Sequence, residues 1–412
     1  MIRIRSKIRI KRDQYDGVSF FLCFYITLMI LAEMFETVLP SWFRYVDEVF
    51  AVVALAYLGL HLLLGRVLKK MEAVILGSML ALILLGIISN MIHGLHYTWG
   101  SVAMDIFLFL KVYVSMVTAL IAIREERITA IYRYILAISK FFQSFLVVMA
   151  AADGVRNGIL ADFSFTYRYY GSLSWWMILF FVVIYSDKQS SRLRYFLYTL
   201  LVVAKNKSGL GMLSLGVVVV VYLFAEQSRR IRWYHFVLML AIGAAVSWGD
   251  IRYYLMNTKA PRYLLLYYGF ITANRFFPLG SGFATYASAQ AARDYARLYY
   301  EYGFDRVWGM SKQAKHFIQD SYFPVVVGQF GYLGAVVFAW MIYMILKEIV
   351  LHIREKYFQC GALIAITTWL AAGIGFLGVS TTWGCCMLIL VILLNRAGNN
   401  QNAMRGIGVD AI

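Results

Sequence analysis

Cysteine is scarce in this chain: four residues among 412, Cys23, Cys360, Cys385 and Cys386, all inside apolar runs and without CxxC or His-rich spacing beside them. That pattern excludes a disulfide framework and a structural metal site. Charge is also scarce, at 15% of residues, and only four prolines occur, so no polar stretch is large enough for a separate soluble domain. No small-residue cleavage site follows the first apolar run. The opening MIRIRSKIRIKR therefore reads as a cytoplasmic basic arm before a retained first helix, not as a signal peptide. No repeated halves are visible, which weighs against the inverted-repeat design common in transporters.

What is abundant is oil. The chain is 61% hydrophobic and 17% aromatic, and runs long enough to cross about 30 Å of hydrocarbon recur along nearly its whole length. The reading is an all-α polytopic membrane protein. Candidate spans cover 18–39, 48–65, 72–92, 100–123, 131–152, 171–186, 193–205, 209–225, 234–248, 322–346, 358–377 and 381–395, about twelve crossings. This divides the chain into a basic arm (1–17), nine helices (18–248), a large extracytoplasmic loop (249–321), three helices (322–395) and a tail (396–412). The formal charge of +17 could suggest a nucleic-acid partner. Its lysines and arginines instead fall in short clusters between spans, where they serve as topology signals. Placing GRVLKK, REER, SDKQSSRLR, SRRIR and KEIVLHIREK inside makes both termini cytoplasmic.

This threading sets KNKSG (205–209) on the extracytoplasmic side. A recessed ammonium is costly unless it faces protein, water or an anion, so Lys205 and Lys207 are expected to line an outward-facing cavity; snorkelling to the interface is the rival explanation. The loop at 249–321 is too long to be a connector. It carries Arg252, Arg262, Arg275, Arg293, Arg297 and Arg306 on the side where the charge rule disfavours them, and a smaller outer loop adds Arg156 and Arg168. Arginine's planar fork suits phosphate oxygens. The many rings of the same loop suit sugar faces or the interfacial belt equally. Within it, SAQAARDYARLYYEYG reads as one amphipathic helix, with Ala292, Tyr295, Tyr299 and Tyr302 on one face, Arg293, Arg297 and Glu301 on the other, and Gly303 as its cap. Gly280 and Gly282, after Pro278, would let the backbone come close to a ligand or to another segment.

The segment PRYLLLYYGFITANRFFPLGSGFATY, followed by QDSYFPVVVGQFGYLG, resembles the signature region of the bacterial O-antigen polymerase and ligase superfamily. Arg262 matches that family's arginine, Pro278 to Phe283 its Pro-Leu-Gly-x-Gly-Phe turn, Asp320 with Tyr322 its polar helix opening, and Gly331 with Gly334 its helix glycines. Lys207-Ser208 occupies the place of a Ser/Arg stretch, with lysine where arginine is usual, and RYVDEVF is similar to an early segment of such polymerases. The resemblance covers roughly residues 195 to 335. Two departures stand out. Asp320 replaces the histidine usual in lipid A ligases, which favours a polymerase, and Gln329 replaces a frequent glutamate. The resemblance implies a glycosyltransferase acting on polyprenyl-pyrophosphate-linked oligosaccharides outside the cytoplasmic membrane, with a flippase and a chain-length regulator as company and no cofactor.

Extending such a glycan requires an acceptor hydroxyl to attack the anomeric carbon while lipid pyrophosphate leaves. The leaving group already carries its charge, so cationic side chains can stabilise it without a metal. Arg262 is assigned that role, assisted by Lys205, Lys207 or Arg275. Arg293, Arg297, Arg168, Gly280 and Gly282 are further substrate-binding candidates. Asp320 is the candidate base, with helix N-capping as the rival or concurrent role. Glu33, Glu36, Asp105, Lys111 and Lys140 lie within spans, and helix-orienting ion pairs compete there with function. A ligase-type transferase and a lipid-linked oligosaccharide flippase remain the alternatives.

Overall fold

The computed structural model describes residues 16–158, 163, 170–206, 209–227, 234, 237–238, 241, 245, 248–375 and 377–400. The described residues are helical, without strands. Successive helices are α1 (Gly17–Met34), α2 (Val46–Leu63), α3 (Lys70–His93), α4 (Trp99–Ala122), α5 (Glu125–Asn157), α6 (Tyr170–Ser186), α7 (Arg192–Asn206), α8 (Gly209–Gln227), α9 (Trp248–Leu255), α10 (Pro261–Arg275), α11 (Ala289–Asp294), α12 (Arg297–Glu301), α13 (Phe323–Met344), α14 (Lys356–Gly375) and α15 (Thr382–Asn399). Among the described residues, eight helices are long and apolar enough to cross a membrane, and the chain is a multi-pass membrane protein. The first five and last three predicted spans correspond to these eight. α6, α7 and α8 match three more predicted segments, and most of the segment 234–248 lies outside the described residues.

Helix ends follow local chemistry. Asp16 caps α1 by accepting from Ser19 N at 2.9 Å, Thr98 caps α4 through Ser101 N at 3.1 Å, and α3 stops at Gly94 in the left-handed conformation. The most enclosed spans are α14 and α15, which pack on each other and on α4 and α6.

One end of the bundle gathers the basic connections. Lys70 pairs with Glu348 at 3.0 Å, Lys188 with Glu355 at 3.5 Å, and Arg127 with Asp16. Arg396 donates to Leu120 O at 3.0 Å, and Glu355 N donates to Gly398 O at 3.2 Å. The opposite end carries the segment 249–321. That segment is no open loop, because α10 packs along α13 and residues 280–288 are buried between α3, α4 and α13.

The two intramembrane lysines are paired. Lys111 on α4 meets Asp47 at 2.6 Å and Glu48 at 3.0 Å on α2, and Lys140 meets Asp187 at 3.2 Å. These cations orient helices, the rival explanation weighed from sequence. Glu36 lies just past the end of α1 and reaches Arg44 at 3.6 Å.

Candidate functional site

The turn after α10 is locked onto α13 by backbone contacts. Ser281 N donates to Gly328 O and Gly282 N to Gln329 O, each at 2.9 Å. This close approach depends on glycine. Gly331 interrupts α13 with φ 60°, and a side chain on it would collide with Pro278 O and Gly280 N. A side chain on Gly282 would lie 2.7 Å from Asn90 Cγ. Gly280 and Gly282 are buried, and of the two uses open from sequence the structure shows the approach to other segments.

Three buried polar side chains, unused in the sequence reading of the site, hold this turn. Asn90 of α3 donates to Phe283 O at 2.9 Å and accepts from Phe283 N at 2.8 Å. Ser89 donates to Gly280 O at 2.6 Å. Asp105 of α4 accepts from Ala284 N at 2.6 Å and from Gln329 Nε2 at 3.0 Å. Gln329 Nε2 also donates to Tyr286 O at 3.0 Å, which an ionised glutamate could not do. The signal for Asn90 was present as a lone amide within the apolar run GIISNMIHG.

The segment expected to form one surface helix is two. Tyr295 adopts φ 56° between α11 and α12, so the chain turns there, and Gly303 ends the second piece at φ 70°. The break lets Tyr295 and Tyr299 turn inward. Tyr295 OH donates to Met310 O at 3.1 Å, and Tyr299 OH accepts from Ala287 N at 2.8 Å. Both rings are fully buried, so they form the core of a cap and not an interfacial stripe.

Arg262 and Asp320, the two residues assigned to catalysis, meet. Arg262 Nε lies 3.3 Å from Asp320 Oδ2, with the side chains 17% and 22% exposed. Arg262 stands in the first turn of α10 and Asp320 just ahead of α13, so the pair closes the segment between them. Burial pushes the Asp320 carboxyl up to about 6, against the opposing pull of Arg262. Asp320 does not cap α13: the helix begins at Phe323 behind Tyr322, with no side-chain cap. Tyr322 N donates to Gly373 O at 2.8 Å, and its hydroxyl meets Tyr113 OH at 3.1 Å. Tyr113, a further residue missed from sequence, is fully buried beside the Trp369 ring.

The other cations do not join this pair. Arg275 ends α10, thirteen residues from Arg262 and about 20 Å along the axis at 1.5 Å per residue, beyond the reach of one pyrophosphate. It pairs with Glu301, and that hydrogen bond holds the guanidinium above its ordinary value. Lys205 Nζ meets Asp153 at 2.9 Å and Gly158 O at 3.3 Å. Arg297 lies over the Tyr97 ring at 5.4 Å, and Arg293 is exposed, its carbonyl accepting from Lys315 Nζ at 2.7 Å. Lys207 and Arg168 fall outside the described residues. The arrangement thus offers one guanidinium and one carboxyl of raised pKa at the end opposite the basic connections. Together they can bind an anion and accept a proton.

No family model matches the chain, and no curated protein matches it.

Proposed function

We propose that the chain polymerises polyprenyl-pyrophosphate-linked oligosaccharide repeat units into a surface polysaccharide, by metal-independent glycosyl transfer on the extracytoplasmic face of a bacterial cytoplasmic membrane. The observation that carries this reading is the meeting of Arg262 with Asp320 across 58 positions, from the two halves of the segment that resembles O-antigen polymerases. The sidedness rests on the charge rule: the end holding Arg66, Lys69, Lys70, Arg124, Arg127, Lys188 and Arg192 is taken as cytoplasmic, which leaves the Arg262 end outside.

In the proposed reaction the acceptor hydroxyl attacks the anomeric carbon and the bond to the pyrophosphate oxygen breaks. Arg262 meets the charge that departs with that oxygen, and a planar fork of donors fits it better than a point charge. Asp320 takes the hydroxyl proton. A base with a pKa of about 6 is largely ionised at neutral pH yet basic enough to share the proton in the transition state.

The test is reconstitution of purified protein with lipid-linked repeat units and a metal chelator, with products sized on a gel. A ladder of chains with release of lipid pyrophosphate supports the reading. Movement of the lipid-linked sugar across a liposome wall without a ladder makes the chain a transporter. Transfer of preformed glycan to a different acceptor makes it a ligase.

A further inference from the structure

Arg262 and Asp320 face each other in the structure, yet the proposed reaction asks each to face something else. A guanidinium held to a carboxylate has part of its charge already neutralised, and a carboxylate held to a guanidinium is a weaker base. The pair is also loosely built. Its approach is 3.3 Å, longer than the 2.7–2.9 Å typical of tight charge-assisted bonds, and about a fifth of each side chain is open to solvent. The neighbouring hydroxyl of Tyr322 is turned to Tyr113 at 3.1 Å and does not hold the pair closed.

We infer that this ion pair is a latch opened by the substrate: the pyrophosphate group of the donor takes Arg262, and Asp320, released, becomes the acceptor for the hydroxyl proton. The inference rests on the transfer reading above and adds its regulation, because the base reaches full strength only when a donor is bound. The exchange is favoured by charge, since a pyrophosphate presents more negative oxygens to the fork than one carboxylate does. It is helped by place. Arg262 lies in the first turn of α10, whose N-cap residue Ala260 supplies no side-chain acceptor, so the positive end of the helix also faces the incoming anion.

The step balances. The acceptor oxygen bonds to the anomeric carbon, the electron pair of the broken bond leaves on the pyrophosphate oxygen, and the proton moves to Asp320. When product pyrophosphate departs, Arg262 returns and Asp320 gives its proton to water.

The inference has a proton signature. Asp320 titrates near pH 6 with Arg262 as the charged group set against it, and removal of that cation raises the value further. At about pH 6.5 the carboxyl should therefore gain protons when the anion binds. Calorimetry of inorganic pyrophosphate binding to the purified full chain, run in buffers of different ionisation enthalpy, reads this directly. Wild type is expected to take up more protons than Asp320→Asn, with the variant subtracting the titration of pyrophosphate itself. Equal uptake in two binding-competent proteins, or no pyrophosphate binding by wild type, overturns the latch. Difference infrared spectra of wild type provide a check that needs no variant: a protonated-carboxyl band should grow on adding pyrophosphate at this pH, and its absence also overturns the inference. Proton uptake without any polymer ladder would instead sink the transfer reading while leaving the latch standing.

Discussion

Asp105 on α4 and Gln329 on α13, 224 positions apart, share a buried hydrogen bond of 3.0 Å, and the same Asp105 oxygen accepts from Ala284 N at 2.6 Å. One carboxylate thus ties two spanning helices to the turn that follows α10. Gln329→Glu would set two carboxylates together and leave Tyr286 O without this donor. A buried acceptor left unsatisfied costs about 1–3 kcal/mol. The variant should melt well below wild type in detergent, and an equal melting temperature would contradict the arrangement.

Gly331→Ala should be more damaging than its size suggests. The residue has φ 60°, and the added carbon would strike Pro278 O and Gly280 N. The backbone conformation alone, φ 60° with ψ −162°, costs about 1–3 kcal/mol for an L side chain. Gly77→Ala is the control, because nothing lies within 4 Å of the added carbon in that helix. Yield of folded protein after solubilisation should fall for the first variant and hold for the second.

Lys111→Met would leave Asp47, 3% exposed, buried without its cation. Breaking one side of such a pair costs about 3–5 kcal/mol, enough to abolish accumulation of many proteins. Adding Asp47→Asn should recover part of the loss. No recovery in a thermal-stability assay would count against direct pairing.

Much of the architecture was legible because hydrophobic run length and the placement of lysine and arginine are strong one-dimensional signals. The eight long apolar helices fall where those signals put them. The paired roles of Lys111 and Lys140 were legible too, since a buried cation demands a partner. The fate of SAQAARDYARLYYEYG was not. Its periodicity is helical throughout, yet burial of Tyr295 and Tyr299 is secured by a left-handed turn at Tyr295 that no local pattern marks. The distance between Arg275 and Arg262 was not legible either, because it depends on α10 running unbroken between them and setting the two apart by its own length.

Arg275→Ala tests that separation. Its guanidinium pairs with Glu301, and both are about half exposed, so removal of the pair should change stability by under about 1 kcal/mol. Polymer output should stay near wild type, whereas a loss as deep as that of Arg262→Ala would bring Arg275 into the site.

The pH profile follows from the raised Asp320 value. The protonated carboxyl is favoured in the fold, so the stability it contributes is present at low pH and lost as pH rises through about 6. Under the proposed transfer, activity has the opposite slope, since a base at Asp320 must be ionised. The acid limb of kcat/KM should fall near pH 6, and that of kcat higher if the donor opens the pair. A profile flat from pH 5 to 8 would remove Asp320 from proton transfer.

Whether Arg262 carries the proposed transfer is read most plainly from the polymer made by Arg262→Ala, Arg262→Lys and wild type at matched membrane abundance, each reconstituted with lipid-linked repeat units. Losing a contact made to the departing charge is expected to lower the rate by about 10²–10³. The predicted result is no ladder for alanine and short chains for lysine, which keeps the charge but lacks the fork. Wild-type chain lengths from Arg262→Ala would remove Arg262 from the transfer step.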